Sequence, residues 1–456
     1  MYDVIIIGGG PGGYAAGIRA AQLGGRVALI EASQIGGTCV NRGCIPSKVW
    51  HRAVYLRGLI KRADEFGLRV TLNENDLSTI VERKNGISDD IRMGMGGLLS
   101  NNKIEVIEGH GVLRGTGVVE VEGKTLEAKK IIIATGTVPG VPDIPGLKDA
   151  VMTTDQVFEM TEVPGSILVY GAGHVEVEMA EILNAFGSKV SLAFESSRIL
   201  PKEDGEISQR IGTALREQGV EIIPRTTLQS VTKSGDVYEA NLSGKEDKKI
   251  TVERVLVSVR NPNTKDLGLE QAGLELNEEG FIDVNENLKT SAEEVYAIGD
   301  ATGGWMLSYA ATVMGVIAAE NAMGKPSVFP SHLVPRGIYT IPEAAAVGLS
   351  EEEAEEKGFE VETGDFPMSI NGVAMSYGEL DGAVKIVSDA KYGEILGVHI
   401  VGDRATDLIW GASLALQMEA TVEDLARMIL VHPTFSESVA MAAQDAMGWA
   451  LYLPKR

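Results

Sequence analysis

The two cysteines of the chain, Cys39 and Cys44, lie five residues apart in the segment GGTCVNRGCIPSK. Two thiols this close can cycle between a dithiol and a disulfide. A helix predicted to begin near Pro46 would place its N-terminus beside them, and that position lowers the pKa of a thiol and makes it a better nucleophile. The alternative is a pair of buried free thiols. The pair is therefore a candidate redox centre.

His432 and Glu437 form a second candidate group, in the segment HPTFSE. A carboxylate beside an imidazole raises its pKa and orients the ring, which suits a general base for a dithiol. Considered alone, a histidine before a proline is more often a turn residue. Apart from His174, which lies inside a second glycine-rich segment, the other histidines are His51, His110, His332 and His399. They form no cluster with metal-ligand spacing, so we predict no metal site.

A glycine-rich turn near the N-terminus follows the apolar strand VIII and contains Gly8, Gly10 and Gly13 ahead of a helix of small residues. Such glycines let the backbone approach a pyrophosphate, which then lies at the helix N-terminus. The next strand, VALI, ends at Glu31, whose carboxylate can accept hydrogen bonds from ribose hydroxyls. This context favours dinucleotide binding over a simple tight turn.

The same pattern recurs 163 residues later, where the strand ILVY runs into Gly171 and Gly173. Both segments are typical of βαβ nucleotide-binding units. The third glycine position of the second unit holds Glu176, and its charge and bulk oppose a bound pyrophosphate. The alternative for this second unit is a Rossmann-like domain with weak or altered nucleotide affinity.

The rest of the chain supplies the elements that must position these groups. Predicted helices cover 47–65, 76–101, 205–218, 307–323, 404–419 and 434–450, and predicted strands cover 104–107, 130–134, 254–259, 295–298 and 384–388. We predict an α/β protein with two Rossmann-like nucleotide-binding domains and a C-terminal α+β domain. The predicted divisions are 1–146 and 265–328 for the first domain, 147–264 for the second and 329–456 for the third.

Length and composition narrow the classes of protein. The 456 residues suggest several domains, and 44% apolar with 23% charged residues is a globular composition. A net charge of −23 argues against a nucleic-acid or anionic-membrane surface. No apolar run is long enough for a membrane helix, and the N-terminus has no signal-peptide pattern, so we expect a cytoplasmic protein. In that compartment a cysteine pair is more often catalytic than structural.

Residues 36–48 resemble the redox-active segment of the pyridine nucleotide–disulfide oxidoreductase family, and within it the dihydrolipoyl dehydrogenase group. The resemblance runs essentially from end to end and includes IIIATGTVP (131–139), VYAIGDATGG (295–304), YTIPEAAAVG (339–348), GAVKIVSD with ILGVHIVG (382–402) and HPTFSES (432–438). It implies a homodimer that uses FAD and NAD to oxidise dihydrolipoamide. The partner implied is a lipoyl-bearing carrier protein of a 2-oxoacid dehydrogenase or glycine cleavage complex.

The resemblance also implies a set of site residues. Cys44 would lie against the flavin as the charge-transfer thiolate, Cys39 would exchange with the dithiol, and Lys48 would lie near the flavin N5. His432 and Glu437 of one subunit would complete the cysteine pair of the other. The residues implied to bind the FAD and NAD cofactors are Gly8, Gly10, Gly13, Glu31, Thr38, Lys48, Thr135, Gly136, Asp300, Gly171, Gly173, Glu178 and Glu195, with Glu178 paired to Lys48.

The sequence departs from the family pattern mainly in the nicotinamide unit. Besides Glu176, the usual ribose-binding acid position holds Phe194, with Glu195 next to it, and SVRNPN (258–263) has lost a glycine. In the flavin segment, Tyr309 and the alanine after it replace a His-Lys pair. Glu195 still favours NAD over NADP, because a carboxylate repels a 2′-phosphate. Another flavin disulfide reductase, or a flavoprotein with weakened nicotinamide use, remains the alternative.

Overall fold

The computed structural model describes residues 1–454. Strands and helices alternate through the first part of the chain. They are β1 (Tyr2–Ile7), α1 (Pro11–Gln22), β2 (Val27–Glu31), α2 (Gly37–Arg42), α3 (Cys44–Lys61), α4 (Leu77–Asn101), β3 (Glu105–Glu108), β4 (Val112–Gly115), β5 (Val118–Val121), β6 (Lys124–Ile133) and β7 (Thr137–Pro139).

A second alternating region follows. It comprises α5 (Leu147–Ala150), β8 (Val151–Met152), α6 (Thr154–Val157), β9 (Ser166–Tyr170), α7 (His174–Ala185), β10 (Lys189–Ala193), α8 (Gly205–Glu217), β11 (Glu221–Ile223), β12 (Thr227–Ser234), β13 (Val237–Ser243), β14 (Lys248–Val252), β15 (Arg254–Leu256) and β16 (Arg260–Pro262). The chain then forms β17 (Val295–Ala297) and α9 (Ser308–Ala322).

The C-terminal region mixes an antiparallel sheet with helices. Its elements are β18 (Arg336–Ile338), β19 (Ala344–Gly348), α10 (Glu351–Glu356), β20 (Val361–Pro367), α11 (Gly372–Tyr377), β21 (Ala383–Asp389), β22 (Ile395–Val401), α12 (Ala405–Gln417), α13 (Val422–Ala426) and α14 (Glu437–Ala446). The strand order is β18-β19-β22-β21-β20, and every neighbouring pair is antiparallel. This is the predicted α+β region.

The first sheet has the order β3-β2-β1-β6-β5-β4, and β17 also pairs with β6. The strands β3, β2, β1, β6 and β17 are parallel, so their carboxyl ends meet at one edge. The apolar run of β1 is buried on both faces, because α1 and α9 cover one side and the β4–β5 hairpin region covers the other. Continuous apolar strands are typical of such a two-sided parallel sheet.

The second nucleotide unit has its own parallel sheet, in the order β11-β10-β9-β15-β8, with the antiparallel sheet β12-β13-β14 beside it. The chain passes between the two nucleotide units twice, and at that crossing the short strands β7 and β16 pair with each other. The predicted α/β class with two Rossmann-like units and a C-terminal α+β domain is confirmed. No helix within residues 1–454 is long and apolar enough to cross a bilayer.

Two element bounds differ from the sequence prediction in ways that affect the site. The helix α3 begins at Cys44 rather than near Pro46, so one thiol belongs to the first residue of the helix. The predicted strand 254–259 is shorter in the structure, where β15 ends at Leu256, and a separate strand, β16, begins at Arg260 and pairs with β7 instead of β9. Because β16 pairs with β7, Arg260 lies beside the first nucleotide unit and not in the sheet of the second.

Candidate active site

A cavity of about 1000 Å³ opens at the edge where β1, β2, β6 and β17 end. Ligands of parallel α/β sheets bind at the carboxyl ends of the strands for topological reasons. The cavity lining includes most of the residues predicted for the flavin half of the site: Gly8, Gly10, Glu31, Thr38, Cys39, Cys44, Thr135, Gly136 and Asp300. One cavity therefore holds a dinucleotide-type turn and both thiols.

The three motif glycines of the first turn serve two purposes. A Cβ at Gly13 would lie 1.8 Å from the Gly8 carbonyl oxygen, and a Cβ at Gly8 would lie 2.3 Å from the Ala134 carbonyl oxygen. Those two positions are fixed by the protein's own packing. A Cβ at Gly10 would meet nothing closer than the Gly37 Cα at 3.9 Å, so this position faces open space in the cavity. The turn fits the pyrophosphate of an adenine dinucleotide.

Glu31 closes the other side of this turn. Its carboxylate accepts a hydrogen bond of 2.6 Å from the Gly9 amide and one of 2.8 Å from the Ser33 amide. These bonds fix the carboxylate in the cavity wall at the end of β2. A carboxylate at the end of the second strand is the group that binds ribose hydroxyls in this kind of unit.

The two cysteines occupy consecutive helices, a short one and a long one. Cys39 lies in α2, Gly43 separates the helices, and Cys44 is the first residue of α3. Both thiols are free and half-buried. The hydrogen bond between them, together with burial, raises the pKa of Cys39. The same hydrogen bond lowers the pKa of Cys44 to about 7, and Ser308 and Lys48 act in the same direction. The thiolate therefore forms preferentially on Cys44.

Lys48 lies one turn after Cys44 on α3 and forms an ion pair across the domain boundary. Its Nζ donates to Oε2 of Glu178 at 3.1 Å and lies 3.6 Å from the centre of the Tyr339 ring. The other oxygen of Glu178 accepts from the Tyr339 amide at 3.0 Å. Glu178 is on α7, so the second nucleotide unit and the C-terminal domain together hold this ammonium beside the thiols.

Arg260 is a site residue that the sequence reasoning missed. Its guanidinium donates to the Thr38 hydroxyl at 3.2 Å and to the Thr137 carbonyl at 2.9 Å. The Thr137 hydroxyl in turn donates to Asp300 at 3.3 Å. Burial raises the pKa of Asp300. The signal present in the sequence is the arginine of the segment SVRNPN (258–263), directly before its Asn-Pro pair.

His432 and Glu437 contact each other but do not line the cavity that contains the thiols. The Nδ1 of His432 lies 2.9 Å from Oε1 of Glu437, and the Thr434 amide donates to Oε2 of that carboxylate at 2.8 Å. The His432 side chain is 76% exposed. The neighbouring Ile429 and Val431 are also exposed, so this histidine lies on an apolar surface of the C-terminal domain.

The second glycine turn differs from the first. Phe194, at the position equivalent to Glu31, is 2% exposed and belongs to the core. Glu195 is exposed and accepts a hydrogen bond from the Tyr170 hydroxyl at 2.9 Å. The side chain of Glu176 lies against Gly171 and Gly173. Unlike the first turn, this one is covered by the protein's own side chain.

The architecture and the thiol pair define a two-nucleotide flavin oxidoreductase, and comparison with known proteins agrees. Residues 2–315 match the pyridine nucleotide–disulphide oxidoreductase family, and residues 334–443 match the dimerisation domain of that family. The chain belongs to this family. The dimerisation domain supports a homodimer.

Among curated relatives, the dihydrolipoyl dehydrogenase of Bacillus subtilis (strain 168) is 39% identical, with 99% of each chain covered. That of Thermus scotoductus is 40% identical, covering 100% of this chain and 99% of the relative. Two solved structures each cover 97% of this chain and 99% of their own: LpdA from Mycobacterium tuberculosis (27% identical, TM-score 0.89) and the HOCl-induced flavoprotein disulfide reductase RclA from Escherichia coli (28%, TM-score 0.86).

Proposed function

We propose that this protein is a dihydrolipoyl dehydrogenase, which oxidises protein-bound dihydrolipoamide to lipoamide and reduces NAD+ to NADH with FAD as the intermediate carrier. The observation that carries the proposal is the pair of thiols in the wall of the flavin-type cavity, with Cys44 at the start of α3 and one turn before Lys48. In this arrangement the pKa of Cys39 is raised while that of Cys44 is lowered. One thiol is thereby suited to exchange with substrate and the other to remain a thiolate. The full-length relatives support the same activity.

The thiol chemistry begins from the Cys39–Cys44 disulfide. A substrate thiolate attacks the sulfur of Cys39, a mixed disulfide forms, and Cys44 leaves as a thiolate. The second substrate thiolate then attacks the substrate sulfur of that mixed disulfide, which releases lipoamide and the Cys39 thiolate. Two electrons and two protons leave the substrate in this exchange. FAD bound in the cavity would supply the two-electron carrier between the Cys39 and Cys44 thiols and NAD+.

The charged residues around Cys44 keep it ionised during this exchange. Lys48 lowers the pKa of Cys44 through its positive charge, and Glu178 fixes the position of that ammonium. A fixed positive charge also stabilises negative charge that develops beside it. FAD is proposed to be held in the cavity by residues that line it: Gly10, Glu31, Thr38, Thr135, Gly136 and Asp300.

His432 is proposed to be the base that deprotonates the entering dithiol. It lies outside the thiol cavity of its own chain and next to an exposed apolar surface. A homodimer formed through that surface would present His432 to the cysteine pair of the partner. Glu437, which accepts from its Nδ1, would orient the ring and stabilise the protonated imidazole.

The lipoyl-bearing carrier and the cytoplasmic location are proposed on the same basis. The relatives named dihydrolipoyl dehydrogenase support the carrier. A purely binding or electron-transfer flavoprotein is less well supported, because the thiol pair, Lys48–Glu178 and His432–Glu437 are all in place.

The decisive assay supplies the flavin-loaded dimer with dihydrolipoamide and NAD+ and follows NADH by absorbance. We expect NADH formation that depends on both substrates and is lost in Cys44→Ala. Absence of turnover by fully flavin-loaded native protein across a wide NAD+ range would overturn the proposal. Reduction of glutathione disulfide by NADPH at a comparable rate would instead identify another disulfide reductase.

A further inference from the structure

The two glycine turns can be compared position by position, because they are related by a shift of 163 residues. In the first turn, Gly13 has no side chain, and the space above Gly10 opens into the cavity. In the second turn, the residue equivalent to Gly13 is Glu176, in the first turn of α7. The two turns therefore differ in that the second carries the side chain of Glu176 where the first has a glycine.

The carboxylate of Glu176 folds back over its own glycine turn. A Cβ built at Gly171 would lie 2.7 Å from Oε1 of Glu176, and one built at Gly173 would lie 2.8 Å from Oε2. The two oxygens thus cover both glycines. These are the positions where a βαβ unit receives the diphosphate of a dinucleotide, at the N-terminal end of the helix.

A second contact holds the carboxylate in this position. The Ser258 hydroxyl donates a hydrogen bond to Oε1 of Glu176, from the segment that follows β15. Ser258 lies in the shortened segment 258–263, so two departures from the family pattern meet at one hydrogen bond. Hydrogen bonds to a charged acceptor are about twice as strong as neutral ones.

We propose that Glu176, held by Ser258, occupies the diphosphate position of the nicotinamide nucleotide and must swing away before NAD+ or NADH can bind. The proposal rests on the proposed function and adds a determinant of its nucleotide step. The carboxylate of Glu176 and the diphosphate of a dinucleotide are both negative groups that bind at the N-terminus of the same helix, so they compete for one position. The affinity of this second unit for any ligand with an adenosine diphosphate half is thereby reduced.

The test measures equilibrium binding of ADP-ribose, which carries the diphosphate but undergoes no redox reaction. Isothermal titration calorimetry on the flavin-loaded full chain compares native protein with Glu176→Gly. We expect the Kd for ADP-ribose to fall by about tenfold or more, since a like charge at contact distance is removed. NADH binding should tighten in the same direction.

Three further variants separate the causes. Glu176→Gln keeps the bulk and removes the charge, so it should recover part of the gain. Ser258→Ala releases the carboxylate and should give a smaller tightening of the same sign. Glu206→Gly removes a first-turn glutamate from α8 of the same domain, where it contacts Arg210 and not a glycine turn, and should leave the Kd unchanged.

Equal Kd values, within twofold, for native protein, Glu176→Gln and Ser258→Ala would overturn the proposal even if Glu176→Gly failed to fold. A crystal structure of the native complex with ADP-ribose gives an independent reading, in which the Glu176 carboxylate should have left Gly171 and Gly173. Reduction of the native protein's flavin by dihydrolipoamide without any nicotinamide tests the proposed function separately. Its failure would not bear on Glu176.

Discussion

The Nζ of Lys48 and the Oε2 of Glu178 are 3.1 Å apart, although 130 residues separate them in the chain. Glu178 is 8% exposed, and its second oxygen accepts a hydrogen bond from the Tyr339 amide, so each carboxylate oxygen has a donor. This pair joins the thiol helix α3 to α7 and to the C-terminal domain. It links the stability of the domain arrangement to the electrostatics around Cys44.

Removing the charge of Glu178 should cost stability. We expect Glu178→Gln to lower the free energy of unfolding by about 1–3 kcal/mol, less than for a fully buried pair because Lys48 is 33% exposed. Glu239→Gln is the matched control, because its partner Lys249 is 69% exposed, and it should change stability by less than about 0.5 kcal/mol. Urea unfolding measures the free energy of unfolding of both variants. Equal losses in Glu178→Gln and Glu239→Gln would contradict the prediction that the partly buried ion pair contributes more.

The ionisation of Cys44 should govern the pH dependence of thiol reactivity. Its pKa of about 7 means that the thiolate is present above that pH and is lost as the pH falls through it. Alkylation of Cys44 in the reduced protein, assigned by mass spectrometry, should therefore be half-maximal near pH 7. Cys39→Ala removes the hydrogen bond that most lowers this pKa, so the midpoint should move upward. An unchanged midpoint would exclude the hydrogen bond as the cause.

Alanine at two glycines should separate folding from flavin binding. Gly13→Ala drives a Cβ against the Gly8 carbonyl, and we expect it to destabilise even the flavin-free protein by about 1–3 kcal/mol. Gly10→Ala places its Cβ in open space toward the cavity. The flavin-free variant should therefore have the same unfolding temperature as the flavin-free native protein, while its affinity for FAD should be lower. Thermal unfolding and flavin titration measure the two effects. A destabilised flavin-free Gly10→Ala protein would be the contrary result.

The position of His432 predicts a site shared between subunits. We expect His432→Gln to lower kcat/KM for dihydrolipoamide by about 10²–10⁴-fold, the usual contribution of a general base. Mixing it with Cys44→Ala subunits should restore activity, because a heterodimer has one site with an intact Cys44 and the partner's intact His432. Random pairing of equal amounts gives about a quarter of native activity, since half of the dimers carry one working site of two.

No activity in the mixture, after heterodimer formation is verified by mass, would mean that His432 does not act across the interface. Glu437→Gln should give a smaller loss than His432→Gln, because it removes the ring's orienting carboxylate and leaves the base.

Local sequence patterns were sufficient for much of the fold and for choosing the two cysteines as candidates. The apolar strand, glycine turn and helix of each βαβ unit are set by contacts between residues close in sequence, and so is the His432–Glu437 pair at five residues' separation. Element ends were less accurate. The helix α3 starts at Cys44, directly after α2, with only Gly43 between the two helices.

Other relationships depended on the tertiary structure. The position of Arg260 against Thr38 required β16 to pair with β7 rather than extend β15. The Glu176 side chain lies over its turn because Ser258, 82 residues away, donates to it. The sequence by itself determined which groups could carry charge or electrons. Which of these groups contact each other was decided only in the folded chain. Hydrogen bonds and ion pairs form only when two groups lie within a few ångströms, and for residues far apart in sequence that distance is set by strand pairing and domain packing.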